Sequence, residues 1–223
     1  MVACHSAVSP QTKEFNMRKT RSRTAVMVGV VGLGLIAVPA MASAKDGHGT
    51  VTATLTELNN SGVNGTATVT VTGNRLSASI EATGLLADQP HAAHIHFGTT
   101  ALHECPTDAA AGADHQLATL EGLPFYGPVV VSFTTSGDTS PASVLAISRY
   151  STAPGGVIDY NRDRIKTQRS VAEAIAAGEG VVVIHGVDYN NSGDYDIAAG
   201  FSDLDPTLPA EATDLAACGV LND

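Results

Sequence analysis

The run His91-Ala92-Ala93-His94-Ile95-His96-Phe97 holds the residues with the clearest capacity for chemistry. In an extended strand successive side chains point to opposite faces, so His94 and His96 share one face while Ala93, Ile95 and Phe97 share the other. Ile95 and Phe97 are expected to fill a core, leaving the two imidazoles side by side on the outer surface. Imidazoles at i and i+2 can converge on one ion, a common way to hold copper or zinc. A third histidine, His185, ends the run Val181-Val182-Val183-Ile184, where the end of a buried strand would hold a ligand rigidly. Three neutral imidazoles with an open position suit copper or zinc; copper is the expected ion, since the remaining ligands of a zinc set are not found nearby. His115 is the preferred fourth ligand because a mobile loop could fold it back over the strand face; His103 and His91 are the other candidates. Otherwise His48, His91 and His103 read as solvated surface histidines, and an H-x-H pair that binds nothing is the ordinary alternative.

These histidines need strands to position them. Val51, Ala53 and Leu55 alternate with threonines, as do Ala67, Val69 and Val71, while Leu76, Ala78, Ile80 and Ala82 alternate with Ser77, Ser79 and Glu81. The turn residues Asn59-Asn60-Ser61-Gly62 and Gly73-Asn74 separate these segments, which predicts an antiparallel meander with one buried face. Residues 91–97, 128–134, 144–150 and 180–185 supply further strands. Residues 98–127 read as one long loop, and loops of that length in compact domains are usually functional or disordered. Residues 170–177 predict a short helix with Ser170 as its N-cap and Gly178 as its stop. The class is therefore all-β, a Greek-key sandwich or barrel with one short helix.

The chain begins with a stretch of a different kind. Arg18, Lys19, Arg21 and Arg23 precede an apolar run from residue 25 to residue 38, followed by Pro39 and the small-x-small pattern Ala42-Ser43-Ala44. That order predicts a signal peptide cleaved near Ala44, with residues 1–16 an over-extended start ahead of Met17. The mature domain is then residues 45–223, a single secreted domain with no membrane attachment after cleavage. It holds 7 basic and 21 acidic residues, a formal charge of −14. Such a surface repels nucleic acid and anionic membranes. Its two cysteines, Cys105 and Cys218, most simply pair in an oxidising compartment; two buried free thiols are the alternative.

Taken together, the order H-x-H, Cys105, Val183-Ile184-His185 and Ala217-Cys218-Gly219-Val220 resembles the copper/zinc superoxide dismutases. The His94-Ile95-His96 motif and the valine-rich strand ending in His185 also resemble CHRD domains, extracellular modules. The resemblance implies that His94, His96 and His185 are copper ligands and that Cys105–Cys218 ties the metal loop to the last strand. It also shows departures. The loop after Cys105 offers only His115, with Asp108 and Asp114 nearby, so a full zinc set is missing. The position of the family's guiding arginine is Leu215, beside Asp214, and an acidic group there repels an anionic substrate. The expected function is a secreted copper-binding CHRD/dismutase-like module. An active copper-dependent superoxide dismutase and a structural or adhesive module that binds no metal are the alternatives.

Two further signals lie in the sequence. Asp188-Tyr189-Asn190-Asn191-Ser192-Gly193-Asp194-Tyr195-Asp196 is similar to the opening of a calcium loop, but Ala199 stands where its closing glutamate belongs, so an acidic polar turn is the expectation. The Gly-x-Ser-x-Gly, His-Glu-x-x-His and phosphate-loop motifs of common hydrolases and nucleotide-binding proteins are absent.

Overall fold

The computed structural model describes residues 47–222; the basic and apolar segments and the Ala44 cleavage pattern lie outside the described residues. The alternating threonine segments form β1 (His48–Glu57), β2 (Asn64–Thr72) and β3 (Arg75–Thr83), paired antiparallel in unbroken register from His48↔Thr72 to Leu55↔Gly65 and from Asn64↔Thr83 to Thr72↔Arg75. Val51, Val69 and Ile80 are buried while the intervening threonines face outward or lie half-buried, as a period of two requires.

The next segment divides in two. β4 (Pro90–His91) pairs with a later short strand, and β5 (Ala93–His96) enters the main sheet. Helix α1 (Thr119–Tyr126), β6 (Val129–Ser132), β7 (Ser151–Thr152), β8 (Val157–Lys166), α2 (Arg169–Ala176), β9 (Val181–His185) and β10 (Leu215–Val220) follow; β7 is the partner of β4. The main sheet has eight strands in the order β6-β5-β9-β10-β1-β2-β3-β8, all antiparallel. It curls until its two ends meet through side chains. Tyr160 on β8 donates to the Thr134 carbonyl just past β6 at 3.2 Å, and Arg162 donates to Thr134 Oγ1 at 2.8 Å and to the carbonyls of Thr134 and Gly137. The chain passes over β8 and β6 between β3 and β5, and over β6 and β5 between β8 and β9, which is Greek-key connectivity. The expected all-β class is therefore present.

Four local expectations differ. Residues 98–127 contain α1, which Gly122 and Pro124 disguise as loop. Packing overrides the propensity: Tyr126 is fully buried, its hydroxyl donates to the Thr119 carbonyl at 2.6 Å, and a Cβ at Gly122 would lie 2.4 Å from its ring. Residues 144–150 form a 3-10 turn, Ile147–Arg149, instead of a strand. β8 was not anticipated, because its apolar residues Ile158 and Tyr160 fall out of phase with Ile165. Arg164 at φ 59° and a shift in pairing between Leu76 and Ala78 mark the bulge responsible. Finally, α2 starts at Arg169 with its N-cap at Gln168, two residues before the expected Ser170, and no side-chain cap bond, although Gly178 at φ 89° ends it as expected.

The sheet carries apolar layers on both faces in the region of β5, β9 and β10. Ile95, Val182 and Ile184 point into the main core. Val181, Val183 and Leu215 point the other way, into a second cluster roofed by Leu117 and Tyr126. Cys105 is disulfide-bonded to Cys218 across 113 residues, pinning this roof to β10. Asn59 pins it again: its side chain accepts from Leu117 N–H at 2.7 Å and donates to the carbonyls of Leu117 and Leu215 at 3.1 and 2.9 Å.

Candidate metal centre

The geometry of the centre follows from the pairing of β5 with β9. His94 lies opposite Val183 and His96 opposite Val181, so the two imidazoles share a face with the Val181–Val183–His185 set. The His185 N–H donates to the Ala92 carbonyl at 2.8 Å, which places His185 diagonally across from His94, within side-chain reach. The three ring centroids are 5.1, 5.7 and 6.3 Å apart.

Strand periodicity predicts the correct face but the wrong environment. Instead of an outer surface, His94, His96 and His185 are 2, 1 and 3 % exposed. The cover comes from segments the alternation could not locate: α1 and its lead-in, the 3-10 turn around Ile147, and the stretch before β10. Phe97, expected in the core, is half-buried and stacks on His103 at 5.2 Å.

Each ring is oriented by a bond from its far nitrogen. His96 Nδ1 lies 2.8 Å from the Gly127 carbonyl and His185 Nδ1 lies 2.6 Å from the Thr213 carbonyl. A carbonyl only accepts, so both Nδ1 atoms carry the proton and both Nε2 atoms are bare. His94 is reversed. Its Nε2 is 2.8 Å from the Tyr150 hydroxyl, whose own proton goes to the Ser143 carbonyl at 2.7 Å or Val144 at 3.1 Å. His94 Nε2 is then the donor and Nδ1 is bare. His94 Nδ1, His96 Nε2 and His185 Nε2 are also three of the four buried side-chain polar atoms without a hydrogen-bond partner among the described residues. Buried polar atoms are rarely left so, and three in one place point to a missing shared partner.

One ring nitrogen from each of the three histidines lies within 4.8 Å of the other two. Nitrogens sharing one ion with bonds near 2 Å stand roughly 3–4 Å apart, so side-chain shifts of under about 1 Å would bring all three to one ion. Burial and the mutual repulsion of neighbouring imidazolium charges keep the rings neutral. Burial holds His96 down to about 3 and His185 to about 4, and His94 well below its usual value with the charges of His185 and His96 adding to the effect. Neutral rings with converging lone pairs are what a metal needs. Beside them lies a cavity of about 20 Å³, room for one water-sized group. Val129, Val144, Leu145, Ile147 and Leu204 supply its larger aliphatic walls.

The remaining histidines stand apart. His115 is exposed on the loop before α1, at φ 61°, and does not join the three-histidine group. That loop is held down at Asn59 and Cys105, which leaves His115 facing solvent. His48 is exposed, and His103 is half-buried with Nε2 2.8 Å from the Gly98 carbonyl. His91 is not a surface residue: it is 1 % exposed, with Nδ1 2.9 Å from the His185 carbonyl and Nε2 3.1 Å from the Leu86 carbonyl. The Tyr195 hydroxyl, 3.1 and 3.2 Å from its two nitrogens, completes that contact, so His91 braces the backbone under His185.

The 188–196 segment is a polar turn. Asp188 accepts from Ser192 and Gly193 N–H, Asn190 donates to Asp196, and the fully buried Glu211 accepts from Tyr189 and Asp196 N–H at 3.1 and 2.8 Å. Sequence reasoning missed Tyr150, Gly127 and Thr213, the residues that aim the rings. Two of the three act through backbone carbonyls, which every residue type possesses. Comparison with protein-family models and with curated proteins gives no match to this chain.

Proposed function

We propose that the mature chain is a secreted metal-binding module of the CHRD/dismutase-like type, holding copper through His94, His96 and His185. One observation carries the reading: three clustered histidines each hold a buried ring nitrogen with no hydrogen-bond partner among the described residues. Imidazole suits copper and zinc, and the absence of any carboxylate from the group makes a hard cation such as calcium or magnesium a poor fit. Export is supported by the Cys105–Cys218 disulfide, a bond that persists in oxidising compartments.

Binding is favoured over superoxide turnover. The cavity beside the rings is walled mainly by aliphatic side chains, and Asp214 directly precedes Leu215, the residue paired with His185. Neither feature draws an anion inward. A purely adhesive role leaves the three bare nitrogens unexplained.

Metal analysis of the purified chain after copper loading and dialysis tests the proposal. About one copper per chain is expected, with loss in His94→Ala and in His185→Ala. Equal copper in parent and variants would overturn it.

A further inference from the structure

Resting on that reading, we infer that the site selects singly charged copper, Cu(I), over Cu(II) and Zn(II), and so holds the metal in its reduced form.

The argument is one of charge. The three donors are neutral, and the groups behind them are two backbone carbonyls and a phenol. Ligand histidines commonly donate to a carboxylate, which brings negative charge to the ion. Here no carboxylate among the described residues bonds to any of the rings. All three rings are nearly fully buried. An ion entering this centre therefore loses its water with no carboxylate on its ligands to compensate it; the nearby Asp214 is bonded instead to the Tyr189 hydroxyl. The solvation lost grows as the square of the charge, so a divalent ion sacrifices about four times what a monovalent one does.

Room points the same way. Cu(II) prefers tetragonal coordination by four or more ligands, and Zn(II) four. The cavity of about 20 Å³ admits one further water-sized ligand. A hydroxide there could neutralise half of a double charge, but it would sit among Val144, Leu145, Ile147 and Leu204. The two hydroxyl residues lining the cavity direct their protons elsewhere, Thr119 to the Thr213 carbonyl at 2.7 Å and Thr213 to Ser202 Oγ at 2.8 Å or the Ala210 carbonyl at 3.3 Å. Three-coordinate Cu(I) needs neither a fourth ligand nor a counter-charge.

The test is a set of competition titrations of the full chain, with Cu(I) under anaerobic conditions, silver(I) as a redox-inert monovalent probe, Cu(II) and Zn(II). Cu(I) is expected to bind at least about a hundredfold more tightly than Zn(II), with silver(I) competing for the same site. Leu145 is only half-buried, so Leu145→Glu can add a carboxylate to the wall with little risk to the fold; it should narrow the Cu(I)-to-Zn(II) ratio at least about tenfold. Zn(II) or Cu(II) binding as tight as Cu(I), or a ratio unmoved in Leu145→Glu folded by circular dichroism, overturns the selectivity while leaving the metal site standing. Failure to bind any of the four ions, or binding undiminished in folded His96→Gln, overturns the metal reading beneath it.

Discussion

The Tyr150 hydroxyl stands 2.8 Å from His94 Nε2 and passes its own proton to the Ser143 carbonyl at 2.7 Å. This one contact reverses His94 relative to the other two rings, so that it offers Nδ1 where they offer Nε2. Tyr150 is 4 % exposed, and burial pushes its hydroxyl up to about 12, so it remains a neutral phenol at any physiological pH. Its loop is held in turn by Asp138, which accepts from the hydroxyls of Ser140 and Ser143 at 2.7 and 2.6 Å, and by Arg149, which donates to Ser143 Oγ at 2.7 Å.

Tyr150→Phe removes the oxygen and leaves the ring. The buried His94 Nε2–H loses its acceptor, at a cost of about 1–3 kcal/mol in stability. The imidazole is then free to change tautomer or rotate, and removal of such supporting groups typically weakens metal affinity about 10–100-fold. Competition titration with copper is the measurement, alongside a thermal melt. Unchanged affinity would mean that packing alone orients His94.

Gly127 makes a comparable demand through its backbone. Its carbonyl receives His96 Nδ1–H at 2.8 Å while its own dihedrals are φ 82° and ψ −176°, a region essentially reserved for glycine. A Cβ there would lie 2.7 Å from Gly98 N and 2.9 Å from the Phe97 carbonyl carbon. Gly127→Ala should destabilise the protein by about 1–3 kcal/mol and also lower metal affinity, since the carbonyl has to move. Chemical denaturation and copper titration read the two effects. A variant as stable as the parent would show that the turn relaxes freely.

How far these features were legible in the chain depends on whether they rest on periodicity or on cover. The threonine alternation of β1 to β3 and the face shared by His94 and His96 follow from the two-residue period of a strand, which local sequence displays directly. Burial of that face depends on Tyr126, Leu117 and Ile147, in segments where glycine and proline hide the helix or where no period exists. β8 escaped because a bulge at Arg164 resets its phase. Sequence alone gives His115 a mobile loop and so a reach it does not have. The side chain of Asn59, 56 positions earlier, holds that loop at Leu117, and no local pattern encodes such a contact.

The disulfide should matter for the site as well as for the fold. Cys105 and Cys218 close a span of 113 residues, and the chain-entropy model assigns such a closure about 4–5 kcal/mol. Cys105 also sits in the segment that covers the rings, between β5 and α1. The double variant Cys105→Ala/Cys218→Ala is expected to lose about 2–5 kcal/mol in urea denaturation and to release bound copper to a chelator faster than the parent. An unchanged denaturation midpoint would show that Asn59 and the Leu117–Tyr126 packing hold the roof unaided.

Asp214 predicts a pH dependence that is separable from that of the histidines. It is 1 % exposed, its Oδ2 accepts from the Tyr189 hydroxyl at 3.0 Å, and its Oδ1 has no partner. Burial raises its carboxyl to about 7 against the Tyr189 bond, with the charges of Asp203, Asp114 and Glu121 adding to the rise. The folded protein therefore keeps a proton that the unfolded chain releases near pH 4. This contribution to stability is fully present below pH 4 and is lost as pH rises through about 7, with a slope approaching about 1.4 kcal/mol per pH unit. The metal-free histidines slope the other way: their contribution is present above pH 6.5 and is lost as pH falls through about 4 and 3 at His185 and His96. Asp214→Asn removes only the first dependence. Its stability relative to the parent should climb between pH 4 and 7 and then level off, whatever constant offset the new amide introduces. Thermal melts of both metal-free proteins across that range measure the difference directly, and a flat difference would mean that Asp214 is ionised in the folded protein and that an unseen partner compensates its charge.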